Sequence, residues 1–322
     1  REVAILAQAV LAQGALKRIV PLTALLFTPP SRLSVSTMSS SMQSSKLASA
    51  KASKAPPANV MAAYGICMTA ALAVFHFVAE GEFSAILTMS VIMQCLAVVL
   101  LLLQSHSSGS AAGISARALG LEALALVCRL SSTLWLNGYL PVDASGDHVF
   151  QAVDICTLVL VFGLLYQVLV VQRSTYQEAD DSLPVVPVAL ACIVLATLLH
   201  ADMNDRPLFD ALWMAGLFLG IVAVLPQLWL ISRTTGRIEA LTSHYIAVMA
   251  VSRLLSGTFM WHARFDLTCQ PWVEGFNHAS WAILGAHLVH LLLLADFAYY
   301  YVKCVVQQGL PSLAQVDIGC LV

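Results

Sequence analysis

The sequence predicts an all-α, polytopic transmembrane bundle, and three observations carry that prediction. The chain of 322 residues is 59% hydrophobic and only 11% charged. Its mean hydropathy is +0.82. Apolar runs of about 20 residues recur along it, the length a helix needs to cross a bilayer. A soluble domain of this size carries far more charge, so that class is excluded. The net charge of −2 says little, because the placement of charge matters more here than its sum.

Residues 1–58 stand apart. The chain begins with Arg1, and its first methionine is Met38, so Met38 is the expected start or the sequence is a fragment. Residues 38–58 are basic, rich in Ser and Ala and free of acids, a composition that cannot build a core and predicts a disordered tail. Organelle-targeting tails share this composition. Eight spans follow, over 59–79, 84–104, 118–140, 149–172, 184–201, 208–232, 242–262 and 276–303. The expected domains are the tail 1–58, an extra N-terminal helix in 59–82, a seven-helix core over 83–306 and a second tail, 307–322. Lys/Arg bias sets the orientation. With the N-terminus in the cytosol, that side holds the basic residues of the tail and Arg117, Arg173, Arg233, Arg237 and Lys303. The lumenal side holds only Arg206 and Arg264. Both termini are then cytosolic.

Two arginines lie inside apolar runs. Arg129 sits in "VCRLSSTLW" (127–135) and Arg253 in "VSRLLSGTFMW" (251–261). Both stretches carry Val, a small residue, Arg, Leu, and Ser three positions after the Arg. The arginines fall on the third and seventh spans, the middle helices of two three-helix units joined by a linker helix. Parallel repeats of this kind occur in SWEET-type transporters, with the site at the repeat interface. An arginine at a helix centre costs about 2.5–3.5 kcal/mol on insertion scales, so each needs a partner. One reading is an internal ion pair, Arg129 with Asp154 or Arg253 with Asp296. The other is an anion site, in which two guanidinium forks face one cavity with Ser132, Ser252, Ser256 and Thr258 nearby and take a peptide carboxylate.

Other chemistry is sparse. The eight cysteines are scattered without metal-ligand spacing. His287 and His290 share a helical face at i, i+3 and read as polar packing. The sequence has no glycine-rich phosphate loop, no HExxH and no nucleophile elbow, so neither an enzyme, a cofactor, a metal nor a nucleic-acid partner is expected. Pro226 and Gln227 in "AVLPQLWLIS" predict a kink or hinge, because proline frees a backbone carbonyl one turn back.

Taken together, eight stretches resemble the KDEL receptor family, the ER lumen protein-retaining receptors, and most of all its divergent receptor-like branch in plants. In order they are "AAGISARAL" (111–119), "VCRL" (127–130), "STYQEADDSLPVVPVAL" (174–190), "LFDALW" (208–213), "IVAVLPQLWLIS" (221–232), "LTSHYIAVMAVSRLL" (241–255), "EGF" (274–276) and "LLADFAYYYVKCV" (293–305). The resemblance covers roughly residues 84–306. It implies a seven-helix, SWEET-like core of two three-helix repeats, here with one extra N-terminal helix. It also implies a receptor of the endoplasmic reticulum and Golgi membrane that binds C-terminal retention peptides of lumenal proteins and returns them in COPI vesicles, with COPI/COPII coats and the lipid bilayer as partners. The family's ligand arginines fall at Arg129 and Arg253, and its acidic residue and tryptophan at Asp210 and Trp213. Several positions depart from the family. Its pH-sensing histidine falls at Gln94, a first-helix arginine at Leu87, the aspartate after the second-helix arginine at Ser132, a glutamate at Gly220 and a tyrosine at Ser252. His262 or Arg264 stands nearest to a further family arginine, and His262 is the nearest lumenal histidine to serve as a switch. Two other classes use the same scaffold: a small-solute or anion transporter, and a non-binding regulator of true receptors.

Overall fold

The structure, a computed structural model, describes residues 58–83, 85–136, 139, 146–233, 240–269, 272 and 274–308. Apart from residue 58 and residues 307–308, the two expected tails lie outside them. All long elements among the described residues are helices. Helix α1 (Ala58–Ala73) continues as a π-turn over Val74–Val78. Helix α2 is Ala85–Ser108 and α3 is Ala116–Thr133. Helix α4 (Gly146–Tyr166) continues as a π-turn over Gln167–Val171. Then come α5 (Val185–Leu199), α6 (Pro207–Val222), α7 (Val224–Arg233), α8 (Ala240–Ala263) and α9 (His278–Gln308).

Five stretches are long and apolar enough to cross a membrane: Ala58–Val78, Ala85–Ser108, His148–Val171, Pro207–Ile231 and His278–Ala295. Helix α5 is apolar but short, and α3 carries Arg117, Glu122 and Arg129 within its length. The outward faces are apolar, as a lipid solvent requires; Val159, Phe162, Leu190 and Leu292 are all exposed. The chain is a multi-pass, all-α membrane protein. The third predicted span, 118–140, is shorter as a helix and stops at Thr133. The turn-forming Asn137-Gly138 and Pro141 follow closely and end its apolar run.

Local chemistry fixes the helix starts. Ser115 caps α3, its hydroxyl accepting from Ala118 N. Pro184 precedes α5 and Pro207 opens α6, where a missing N–H costs nothing. The loop after α4 is tied to the start of α3 by Asp181, which accepts from the Ser115 hydroxyl (2.8 Å) and the Tyr176 hydroxyl (2.7 Å). Burial, and then the neighbouring Asp181 carboxylate, raise the Tyr176 hydroxyl well above an ordinary phenol, so it stays a donor.

Pro226 and Gln227 lie just beyond a break at Ala223, which separates α6 from α7. The break falls where proline withholds a hydrogen bond and crowds the preceding turn. Gln227 is not loose. Its Oε1 accepts from Ser115 N (2.9 Å) and its Nε2 donates to Gly113 O (2.7 Å).

Helix α2 packs along α8, and α3 along α6. Helix α4 leans on α2 and α3, and α9 on α8 and α6. Helix α5 packs chiefly on α6, and α1 lies at the edge against α2. The α3–α6 approach depends on Gly216. A Cβ there would sit 2.9 Å from Ala125 O and 3.1 Å from Arg129 N, both backbone atoms that cannot swing away. Gly216→Ala is therefore expected to push α6 off the turn that carries Arg129, and overpacking of this kind costs about 1–3 kcal/mol. Thermal unfolding in detergent reads the loss; an unchanged midpoint would show that the two helices have room to spare.

Candidate functional site

Helices α2, α3, α4, α6, α8 and α9, with Tyr139, line a cavity of about 50 Å³. It is lined by Gln94, Glu122, Arg129, Trp213, Arg253 and Ser256, among others. Both predicted arginines therefore face one space. They also share one acceptor: Gln94 Oε1 lies 3.4 Å from Arg129 Nη2 and 3.5 Å from Arg253 Nη1. The amide nitrogen of Gln94 donates to Glu122 Oε1.

The two guanidiniums differ in how fully they are satisfied. Arg129 makes a bidentate pair with Asp154 of α4, with Nε and Nη2 each 2.7 Å from a carboxylate oxygen. It also lies over the Phe150 ring, 5.5 Å from the centroid. Asp154 is fully buried, so this contact supplies its counter-charge. The predicted pairing of Arg129 with Asp154 is thus present. Arg253 is bound more loosely. Among the described residues its nearest carboxylate oxygen, Glu122 Oε1, is 3.6 Å away and its Nε has no hydrogen-bond partner, although the residue is buried. The other predicted partner, Asp296, lies where side chains are not described. At Gly220, where the resemblance puts a glutamate, a Cβ would stand 3.6 Å from Arg253 Nη2, so the glycine leaves that flank open.

The remaining predicted residues divide. Trp213 and Ser256 line the cavity. Ser132 instead donates to Phe209 O (2.8 Å) and Ser252 to Ser90 O (2.7 Å), so both hydroxyls are spent on helix carbonyls. Thr258 is exposed and donates to Leu254 O. Asp210 is buried outside the cavity lining and accepts from the Tyr139 hydroxyl (2.8 Å). His262 is exposed against the Phe83 ring and does not line the cavity. His287 and His290 do line it, from α9, and neither His287 ring nitrogen nor His290 Nε2 has a partner among the described residues.

Glu122 was not singled out by the sequence. Its signal was available: it lies seven residues before Arg129, on the same helical face two turns away. Among the described residues, one group of side chains could hold a metal ion, His200, Asp202 and Asp210, whose ligand atoms lie within 4.8 Å of one another.

Fold and cavity together define a multi-pass helical membrane protein with a buried, arginine-bearing site between its helices. Residues 110–264 match the family model for the ER lumen protein retaining receptor. The chain is 31% identical over 213 residues to the ER lumen protein-retaining receptor erd-2.2 of Caenorhabditis elegans, covering 66% of this chain and 90% of that protein. It is 30% identical over 221 residues to ER lumen protein-retaining receptor 2 of Danio rerio, covering 67% and 92%. The Drosophila melanogaster ER lumen protein-retaining receptor is 27% identical over 212 residues, covering 66% and 90%. The chain belongs to the ER lumen protein-retaining receptor family.

Proposed function

We propose that this chain is a retention receptor of the endoplasmic reticulum and Golgi membranes, and that it holds the C-terminal carboxylate of lumenal proteins at Arg253. The observation that carries this reading is the buried Arg253 guanidinium facing a cavity: among the described residues its Nε–H has no acceptor and no carboxylate oxygen lies nearer than 3.6 Å. A buried donor without an acceptor costs free energy, and a ligand oxygen recovers it. Arg129, already bidentate with Asp154, positions Gln94 and contributes its field more than a free fork.

A cavity of about 50 Å³ admits water and not a peptide, so ligand entry requires the helices to part. We place the joint for that motion at Ala223, ahead of Pro226 and Gln227. The ligand carboxylate then competes with Glu122 for Arg253. The test is binding of tetrapeptides with free and with amidated C-termini to the purified chain. Binding of the free acid alone supports the reading, and equal binding of both removes the carboxylate from it.

Gln94 also bears on pH. It bridges Glu122 and both arginines but cannot titrate, whereas a histidine there would change charge between the pH of the Golgi and that of the endoplasmic reticulum. Peptide affinity is expected to vary little between about pH 5.5 and 7.4, and to fall toward neutral pH in Gln94→His. A steep loss in the native chain would move the switch to His287 or His290, the two histidines that line the cavity.

A further inference from the structure

A second concavity lies away from the arginine cavity. It is a groove of about 620 Å³, floored by the first turns of α3 and walled by the end of α4 and the start of α5. These three helix ends meet at one end of the bundle, the end the Lys/Arg bias assigns to the cytosol. Leu124, Leu169 and Val186 of its lining are exposed, so the groove is open along its apolar length.

Its polarity is divided along its length. Arg117, Arg173, Tyr176 and Glu178 stand at the helix ends. Leu124, Leu165 and Leu169 lie deeper, where the helices enter the apolar layer. Two arginines against one glutamate leave the rim net positive. The neighbouring Asp181 keeps its charge but does not line the groove; its oxygens accept from Ser115, Tyr176 and the Arg117 backbone N–H. Arg117 is held in place by Nη1, which donates to Leu183 O at 2.5 Å, and its other side-chain N–H groups have no partner among the described residues. A cationic rim above an apolar trough, open to the side of a membrane-spanning bundle, complements a molecule with an anionic head and a hydrocarbon tail.

We propose that this groove holds one anionic phospholipid, its phosphate between Arg117 and Arg173 and an acyl chain along Leu124, Leu165 and Leu169. Gly120 gives a clean way to test it. Gly120 lines the groove, and a Cβ added there meets nothing within 4 Å, so a larger side chain starts from open space at the groove.

The experiment is native mass spectrometry of the full chain with dioleoyl phosphatidylserine or dioleoyl phosphatidylcholine at equal concentration. One retained phosphatidylserine is expected, in preference to phosphatidylcholine. Basic residues near anionic lipid each contribute about fivefold in affinity, so Arg117→Gln with Arg173→Gln is expected to weaken retention about thirtyfold. Gly120→Trp is expected to abolish retention with an unchanged melting temperature. Gly120→Leu serves in its place if the larger ring prevents folding. Equal retention of phosphatidylcholine overturns the proposal, as does phosphatidylserine retained undiminished in the Gly120 variant. Displacement of the lipid by soluble glycerophosphoserine at equal concentration overturns it too, because it would reduce the groove to an anion site with no place for the chain.

Discussion

Arg129→Leu alone is expected to cost about 3–5 kcal/mol of stability, because it strands Asp154 as an unpaired charge in the membrane interior. Asp154 is fully buried, and its two carboxylate oxygens both accept from Arg129. The double variant Arg129→Leu/Asp154→Leu removes both charges and is expected to recover most of the loss, since replacing a buried pair by packed apolar groups is often neutral or stabilising. Chemical unfolding in detergent of the wild type, both single variants and the double variant measures the coupling. If the losses of the two single variants simply add in the double, the pair does not hold α3 to α4.

Arg253→Ala is expected to weaken capture of a carboxylate-ended peptide by about 2–5 kcal/mol, the usual cost of truncating one side of a desolvated charged contact. The same change leaves Glu122 without its cation, so lost binding could reflect a damaged fold. Adding Glu122→Gln removes the stranded charge and keeps a polar group beside Gln94. The double variant is expected to unfold like the wild type and still fail to bind. Peptide binding by a well-folded double variant would place the carboxylate elsewhere.

Much of this was legible in the sequence, for identifiable reasons. Helices of a membrane protein announce themselves because lipid forbids unpaired backbone, so long apolar runs have one available structure. Arg129 and Arg253 were visible because charge is costly in such runs. Their convergence on a single amide was not. Gln94 is uncharged and sits in an apolar run of α2, and only the packing of α2 against α8, with α4 packed on both α2 and α3, brings its oxygen to both. Ser132 and Ser252 mark the limit of spacing arguments. Each is close to an arginine in sequence, yet a hydroxyl in a helix readily finds a backbone carbonyl, and both do. His287 and His290 were seen as a pair, but the address of their face depended on how α9 leans on α6 and α8. Glu122 lies within the same span as Arg129, and its partner Arg253 is on a helix more than a hundred residues away.

The Gln227 amide joins α7 to the turn ahead of α3 at two points, once as acceptor and once as donor. A single bond would act as a swivel. Two bonds from one planar group also fix orientation, so the join removes rotation as well as separation. The segment after the Ala223 break cannot swing while the start of α3 stays still, unless both bonds open together. Any bending at that joint is therefore geared to the helix that carries Glu122 and Arg129. In the hinge proposed at Ala223, the proline supplies the break, and the glutamine sets which other helix would have to follow.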